Sequence, residues 1–174
     1  MTTGTTTTPR GARAGSPSRW TAYAACVLAL LYALVSFYWA AGGTAGLSTI
    51  GGELEEMARD RDPGLVAIVL VTAFLKVAYG LLALALVRPS WGRALPRWAL
   101  LWAAWAGAGL LSAYGGLLVA AQALVVAGFV GVAEPADRRA LLWHLFVWDP
   151  WFLVMGLLLG VAVWHYQRGT RRRR

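Results

Sequence analysis

Long apolar runs separated by short polar segments dominate the chain. A run of about 20 apolar residues crosses the roughly 30 Å hydrocarbon core of a bilayer when it is helical, since a helix rises about 1.5 Å per residue. The pattern therefore predicts an all-α integral membrane bundle of four transmembrane helices. The predicted spans are residues 20–41, 65–87, 98–121 and 140–166.

The ends of the third and fourth spans have two interpretations each. Residues 98–132 are apolar over 35 positions, so 122–132 either continue the helix or lie at the membrane interface. The last run contains Asp149-Pro150, and aspartate caps helices well while proline is tolerated in a first helical turn. The fourth span is therefore either 140–166 with a kink, or 149–166 after a short helix that dips into the membrane.

Composition and charge support a membrane domain between two polar tails. Hydrophobic residues make up 59% and charged residues 14% of the chain, against roughly 45–50% and about 25% in soluble domains. This excludes a soluble enzyme, a disulfide scaffold and a disordered regulator. Residues 1–18 are predicted to be a disordered tail, 19–167 the transmembrane domain and 168–174 a basic tail.

The arginines predict the orientation of the bundle. Eleven of them flank the span ends on the side of both termini, and four lie on the other side. Because positive charge accumulates on the cytoplasmic side, both termini are predicted to be cytoplasmic. The net charge of +8 is explained by this flanking, so no nucleic-acid partner is expected.

Two charged residues lie inside predicted spans at similar depths. Lys76 is eleven positions after Leu65 and Asp149 is nine after Ala140, which places them roughly 16 Å and roughly 13 Å from the outer ends. We expect them to meet, directly or through water. The pair would either lock two spans together or serve a reaction or binding role; alternatively, Lys76 snorkels to the interface.

The polar loop between the first two spans is unusually rich in glycine. Two glycine pairs bracket its mostly apolar first half, and acidic residues follow. A re-entrant loop would carry Glu53 or Glu56 towards Lys76, whereas an ordinary flexible loop would not. Gly42-x-x-x-Gly46 and Gly156-x-x-x-Gly160 match the close-packing pattern of membrane helices and predict helix contacts.

Aromatic residues cluster around the candidate acids. Aromatic faces beside a carboxylic acid can stabilise a cation, including a carbocation formed by protonating an alkene; interfacial belts or simple packing are the alternative. His144 is expected to be a hydrogen-bonded aromatic side chain, and a role as a ligand is the less favoured alternative. No motif for a metal or another cofactor is present. The candidate substrate-binding residues are Tyr38, Trp39, His144, Trp148 and Trp151.

Three short blocks resemble a known family. They are Phe37–Gly43, Thr49–Glu53 and Trp148–Phe152, and they look like the domain-of-unknown-function family numbered 3995, which consists of small bacterial four-span proteins. The likeness covers about residues 20–166 and implies a bacterial cell membrane. It implies no activity and no site residue. Embedded carboxylates and aromatics are also similar in kind to integral-membrane terpene cyclases and sterol isomerases, without a shared motif.

The leading hypothesis is an enzyme that protonates an apolar lipid or isoprenoid. The candidate catalytic residues are Asp149, Glu53, Glu56 and Lys76. One of the acids would donate the proton, and Lys76 would tune or reprotonate it. The alternatives are a non-catalytic membrane subunit with a structural Lys76–Asp149 pair, acting with a protein partner or as a homo-oligomer, and a small oligomeric transporter.

Overall fold

The structure, a computed structural model, describes residues 17–88, 96–130 and 138–171. The rest of the predicted N-terminal tail, the basic connector, part of the second loop and the end of the basic tail lie outside these ranges. Those segments are residues 1–16, 89–95, 131–137 and 172–174.

The described residues are helical and contain no strand. A 3-10 turn at Leu47–Thr49 and a π-helical turn at His144–Trp148 connect α-helices. The helices are α1 (Pro17–Ala40), α2 (Gly52–Arg59), α3 (Pro63–Ala85), α4 (Arg97–Val126), α5 (Arg138–Trp143) and α6 (Asp149–Arg171).

Four helical stretches are long and apolar enough to cross a membrane, which confirms the predicted four-span architecture. The third continues to Val126, so residues 122–126 extend the helix. The fourth runs without a break from Arg138 to Gly169 and includes the π turn. The four stretches are Arg19–Ala40, Pro63–Ala85, Arg97–Val126 and Arg138–Gly169.

Many of the buried side chains are small, and many of the large apolar side chains face outwards. Ala25, Ala29, Ala83 and Ala104 are fully buried, whereas Leu110 is 71% exposed. Lipid is as apolar as leucine, so membrane helices associate through close van der Waals contact of small residues. This distribution is typical of a helical bundle that is surrounded by the hydrocarbon of a membrane.

Helix α1 lies at the centre of the arrangement. It packs along α3 and against α6, and α6 packs along α4. Helices α3 and α4 make much less contact with each other, which leaves a cleft between them. We call the end of the bundle where α1 ends and α3 begins the loop end, because the 41–62 loop lies there.

Local sequence signals define the 41–62 loop. The N–H groups of Gly42 and Gly43 bond to the carbonyls of Trp39 and Tyr38, and Gly42 has φ +99°, so α1 ends in a glycine-dependent C-terminal cap. The interpretation of Gly42-x-x-x-Gly46 as helix packing is wrong, because both glycines adopt positive φ in the loop.

The second glycine pattern does mark a helix contact. A Cβ on Gly156 would lie 2.5 Å from the backbone nitrogen of Ser112 and 3.0 Å from the carbonyl oxygen of Ala108. Gly115 on α4 approaches the backbone of α6 in the same way. The contact of α4 with α6 therefore depends on the missing side chains.

Replacing Gly156 by valine should separate α4 from α6. We expect a loss of about 1–3 kcal/mol in the free energy of unfolding, the usual range for overpacking, measured by thermal or denaturant unfolding in detergent. Gly109→Val is the matched control, because nothing lies within 4 Å of its Cβ position. Equal stability of the two variants would contradict the tight contact.

Candidate active site

A cavity of about 320 Å³ lies between α1, α4 and the last helix at the loop end. Its volume falls at the lower end of the roughly 300–1,000 Å³ range of small-molecule sites. We call it the aspartate cavity. Its lining residues are Tyr32, Trp39, Ile50, Tyr114, Leu118, Gln122, His144, Trp148, Asp149 and Phe152.

Asp149 is the buried acid of this cavity. Only 2% of the residue is exposed. Its Oδ1 lies 3.4 Å from Nδ1 of His144, and its Oδ2 is buried without a hydrogen-bond partner among the described residues. Because buried polar atoms are nearly always paired, the second carboxyl oxygen remains available to a proton or a ligand.

The π turn brings His144 and Asp149 together. In a regular α-helix, residues five apart are separated by roughly 140° around the axis, so they lie on different faces. Here the N–H of Asp149 bonds to the carbonyl of His144, an i to i−5 bond that widens the turn. The wider turn puts both side chains on the cavity side of the helix.

Pro150 supplies a physical reason for the π turn. Proline has no N–H to donate to the carbonyl of Phe146, and its ring clashes with that carbonyl in a regular helix. A helix that continues through Pro150 must widen or bend just before it. The π turn at His144–Trp148 is the widening.

The second nitrogen of His144 fixes how the ring is protonated. Nε2 lies 3.2 Å from the carbonyl oxygen of Ile50, and a carbonyl can only accept, so Nε2 carries a hydrogen. Any further proton of the pair is shared by Nδ1 and the Asp149 carboxyl group. With one further proton, the pair is a carboxyl group hydrogen-bonded to imidazole, or a carboxylate facing imidazolium; a second further proton would lie on Oδ2.

The 41–62 loop covers the cavity and is tied to the bundle by indole groups. Trp148 Nε1 donates to Thr49 Oγ1 at 3.1 Å, and Trp39 Nε1 donates to the carbonyl of Ala45 at 2.9 Å. Leu47 is 2% exposed, so the loop enters the bundle with an apolar side chain.

Aromatic rings form most of the cavity wall. Tyr32 lies 5.8 Å from Trp148 and 5.0 Å from Phe152, measured between ring centroids. Trp39 meets Trp148 edge to face at 5.3 Å, and Tyr114 meets Phe152 in the same way. Their negatively polarised faces provide a site for a cation.

Lys76 lies in a different environment. Its Nζ donates to Ser36 Oγ at 2.9 Å and stands 4.4 Å from the centre of the Tyr32 ring. With Thr72 and residues of the loop, it lines a separate cavity of about 160 Å³, which we call the lysine cavity.

The predicted direct contact of Lys76 with Asp149 is wrong. Across residues 17–88, 96–130 and 138–171, the contacts of Lys76 are with Ser36 and Tyr32, and those of Asp149 are with His144. The reason is that α1 packs against both α3 and α6. Its Tyr32 lines the lysine cavity and the aspartate cavity.

The other predicted site residues divide into those inside and outside the cavity. Trp39, His144 and Trp148 line it together with Asp149. Trp151 instead donates to the carbonyl of Leu28 at 3.1 Å, and its ring lies tilted against that of Tyr32 at 5.1 Å between centroids.

Three predicted residues lie on or near the loop and away from this cavity. Tyr38 accepts from the N–H of Ala45 through its hydroxyl oxygen. Glu53 and Glu56 are exposed on α2, and neither lines the lysine cavity or the aspartate cavity. The loop thus carries neither of these two side chains into the bundle.

Sequence reasoning missed several cavity residues. Tyr32 and Ser36 lie at helical spacing on the face of α1 that also carries the predicted Trp39, and this polar stripe inside an apolar span would have revealed them. Gln122 interrupts the third apolar run and lines the cavity. No sequence signal identifies the carbonyl of Ile50.

The fold and the site define a helical membrane protein with a buried acid–imidazole pair in an aromatic cavity. No group of three or more metal-ligating side chains occurs within the described residues. The chain belongs to the family described as protein of unknown function (DUF3995), whose model matches residues 29–159. Neither a curated protein nor a solved structure matches the chain.

Replacing Pro150 by alanine should let the π turn relax to a regular helix. The helix would gain stability, since a proline in a helix interior is about 3 kcal/mol less favourable than alanine. The side chain of His144 would rotate away from Asp149. The measurement is the infrared carboxyl band of Asp149, identified by its loss in Asp149→Asn, together with thermal unfolding. Pro63→Ala is the control, because Pro63 occupies the first turn of α3. An unchanged band in Pro150→Ala would show that proline does not hold the pair together.

Proposed function

We propose that the protein is a membrane-embedded enzyme that moves protons to and from an apolar lipid or isoprenoid. The observation that carries this proposal is Asp149, a carboxyl group 2% exposed, with one oxygen on His144 and the other unpartnered. It lies in the wall of an aromatic cavity. Intramembrane ionisable groups of this kind are functional candidates by default.

The chemistry follows from the placement of the two groups. With His144 as imidazolium donating to Oδ1 and a second further proton on Oδ2, Asp149 presents an acid to the cavity. The π electrons of a ligand double bond form a C–H bond with that proton, which leaves a carbocation on the ligand and a carboxylate on Asp149. Imidazolium at His144 would donate from Nδ1 to Oδ1 and stabilise the carboxylate.

Loss of a proton from a neighbouring carbon completes the cycle. The C–H electron pair becomes a new double bond, or the cation is first attacked by a second double bond of the same ligand to form a ring. The carboxylate takes up the released proton, so no oxidant or reductant is consumed. The faces of Tyr32, Trp39 and Trp148 would stabilise the cation between the two proton transfers.

Deuterium exchange tests this proposal. Proteoliposomes incubated with squalene in D₂O should introduce deuterium into the alkene, read by mass spectrometry. Asp149→Asn should abolish the exchange, and His144→Gln should slow it by about 10²–10⁴-fold, the usual contribution of a general acid or base.

The matched control is Asp60→Asn, which changes an exposed aspartate of the 41–62 loop. It should leave exchange at the wild-type rate. Exchange that survives in Asp149→Asn would remove Asp149 from the reaction. An apolar molecule that accumulates only on purified Asp149→Asn would identify the natural substrate class.

We further propose that both termini face the cytoplasm of a bacterial cell. The support is the excess of arginine on the side of the termini. In a Cys26→Ser background, an impermeant maleimide should label Glu53→Cys in intact cells and Gly169→Cys only after permeabilisation, since both positions are exposed. The reverse pattern would overturn this orientation.

A further inference from the structure

Lys76 has more hydrogen-bonding capacity than the structure uses. An ammonium group has three hydrogens to donate. Among the described residues, Ser36 Oγ accepts one of them at 2.9 Å, and the Tyr32 ring offers its face at 4.4 Å. No carboxylate of the described residues pairs with Lys76. A membrane-embedded cation without a counter-ion has capacity for an anion.

An apolar cleft lies beside the same lysine. It has a volume of about 500 Å³ and lies between α3, α4 and α6, where α3 and α4 make little contact. Tyr79, Leu110, Leu111 and Met155 line it. The cleft is large enough for a ligand chain, and its wall at Leu110 is 71% exposed, on the side that would face lipid.

The cleft and the lysine cavity share the polar end of this arrangement. Thr72 and Lys76 line both of them. One charged group therefore lies where the lysine cavity meets a larger apolar space. This is the shape and charge complement of a molecule with one anionic headgroup and one hydrocarbon chain.

We propose that Lys76 binds the carboxylate or phosphate headgroup of a single-chain anionic amphiphile whose chain occupies the apolar cleft. A charge-assisted bond from Nζ would use donor capacity that its contact with Ser36 leaves unused. Binding needs no chemistry at Asp149, so it does not depend on the proposed proton transfer. Tyr114 and Phe152 line both the cleft and the aspartate cavity, so a bound chain lies beside the acid.

Equilibrium binding in a neutral detergent tests the headgroup contact. Radiolabelled oleate and oleyl phosphate supply the two anionic headgroups, and methyl oleate is the uncharged probe. We expect one anionic molecule per chain, bound at least about tenfold more tightly than methyl oleate. The better of the two anions identifies the headgroup.

Substitution of Lys76 separates charge from chain binding. Lys76→Met should weaken the anion by about tenfold or more and leave methyl oleate unchanged, while Lys76→Arg retains the anion. Arg168→Met is the control, because Arg168 stacks on Trp164 elsewhere on α6. Equal affinity of the wild type for the anions and for the ester, or an unchanged anion affinity in Lys76→Met, would overturn the proposal.

A second pair of variants tests whether the ligand chain occupies the cleft, even if Lys76→Met does not fold. Leu110 and Leu117 are each 71% exposed on α4, and of the two only Leu110 lines the cleft. Leu110→Trp should fill the cleft and lower the amount of anion bound per chain, while Leu117→Trp should bind as the wild type does. Equal binding by the two tryptophan variants would overturn the proposal.

Discussion

A carboxyl group inside an apolar helical bundle needs a polar partner, and this requirement shapes the loop end of the protein. An unsatisfied polar group in hydrocarbon costs several kcal/mol. Asp149 is 2% exposed and its partner is His144, five residues away on the same helical stretch. A regular helix would place these two side chains on different faces. The π turn before Pro150 brings them together and so allows a buried acid with a polar partner at this position.

The same contact anchors the 41–62 loop. His144 uses its second nitrogen on the carbonyl of Ile50, so the ring that orients the acid also holds the loop over the cavity. The indole groups of Trp39 and Trp148 add two further bonds to the loop. A substitution in the loop would therefore affect Asp149 indirectly, through the contact of His144 with the loop. Hydrogen bonds thus connect the loop to the last helical stretch within an otherwise apolar bundle.

The sequence predicts the spans well because hydrophobic length maps directly onto bilayer thickness. It also identifies Asp149, Trp148 and Trp39 as candidate site residues, because each has a charged or aromatic side chain at an unusual position in or beside an apolar span. The direct contact of Lys76 with Asp149 fails because distance along a helix predicts depth but not direction around the axis. The pairing of His144 with Asp149 is hidden for the related reason that i to i+5 spacing predicts separate faces unless the helix is widened.

The separation of Lys76 from Asp149 has a chemical consequence. An ion pair would hold Asp149 as a carboxylate and occupy the hydrogens of the lysine, which would leave neither group available to a ligand. Tyr32 prevents this by contacting both sides: its ring lies under Lys76 Nζ and against Trp148. The acid is left with a neutral or cationic imidazole as its partner and the lysine with a hydroxyl. Two ionisable groups can then serve two different tasks, a proton at one and an anion at the other, on either side of the Tyr32 ring.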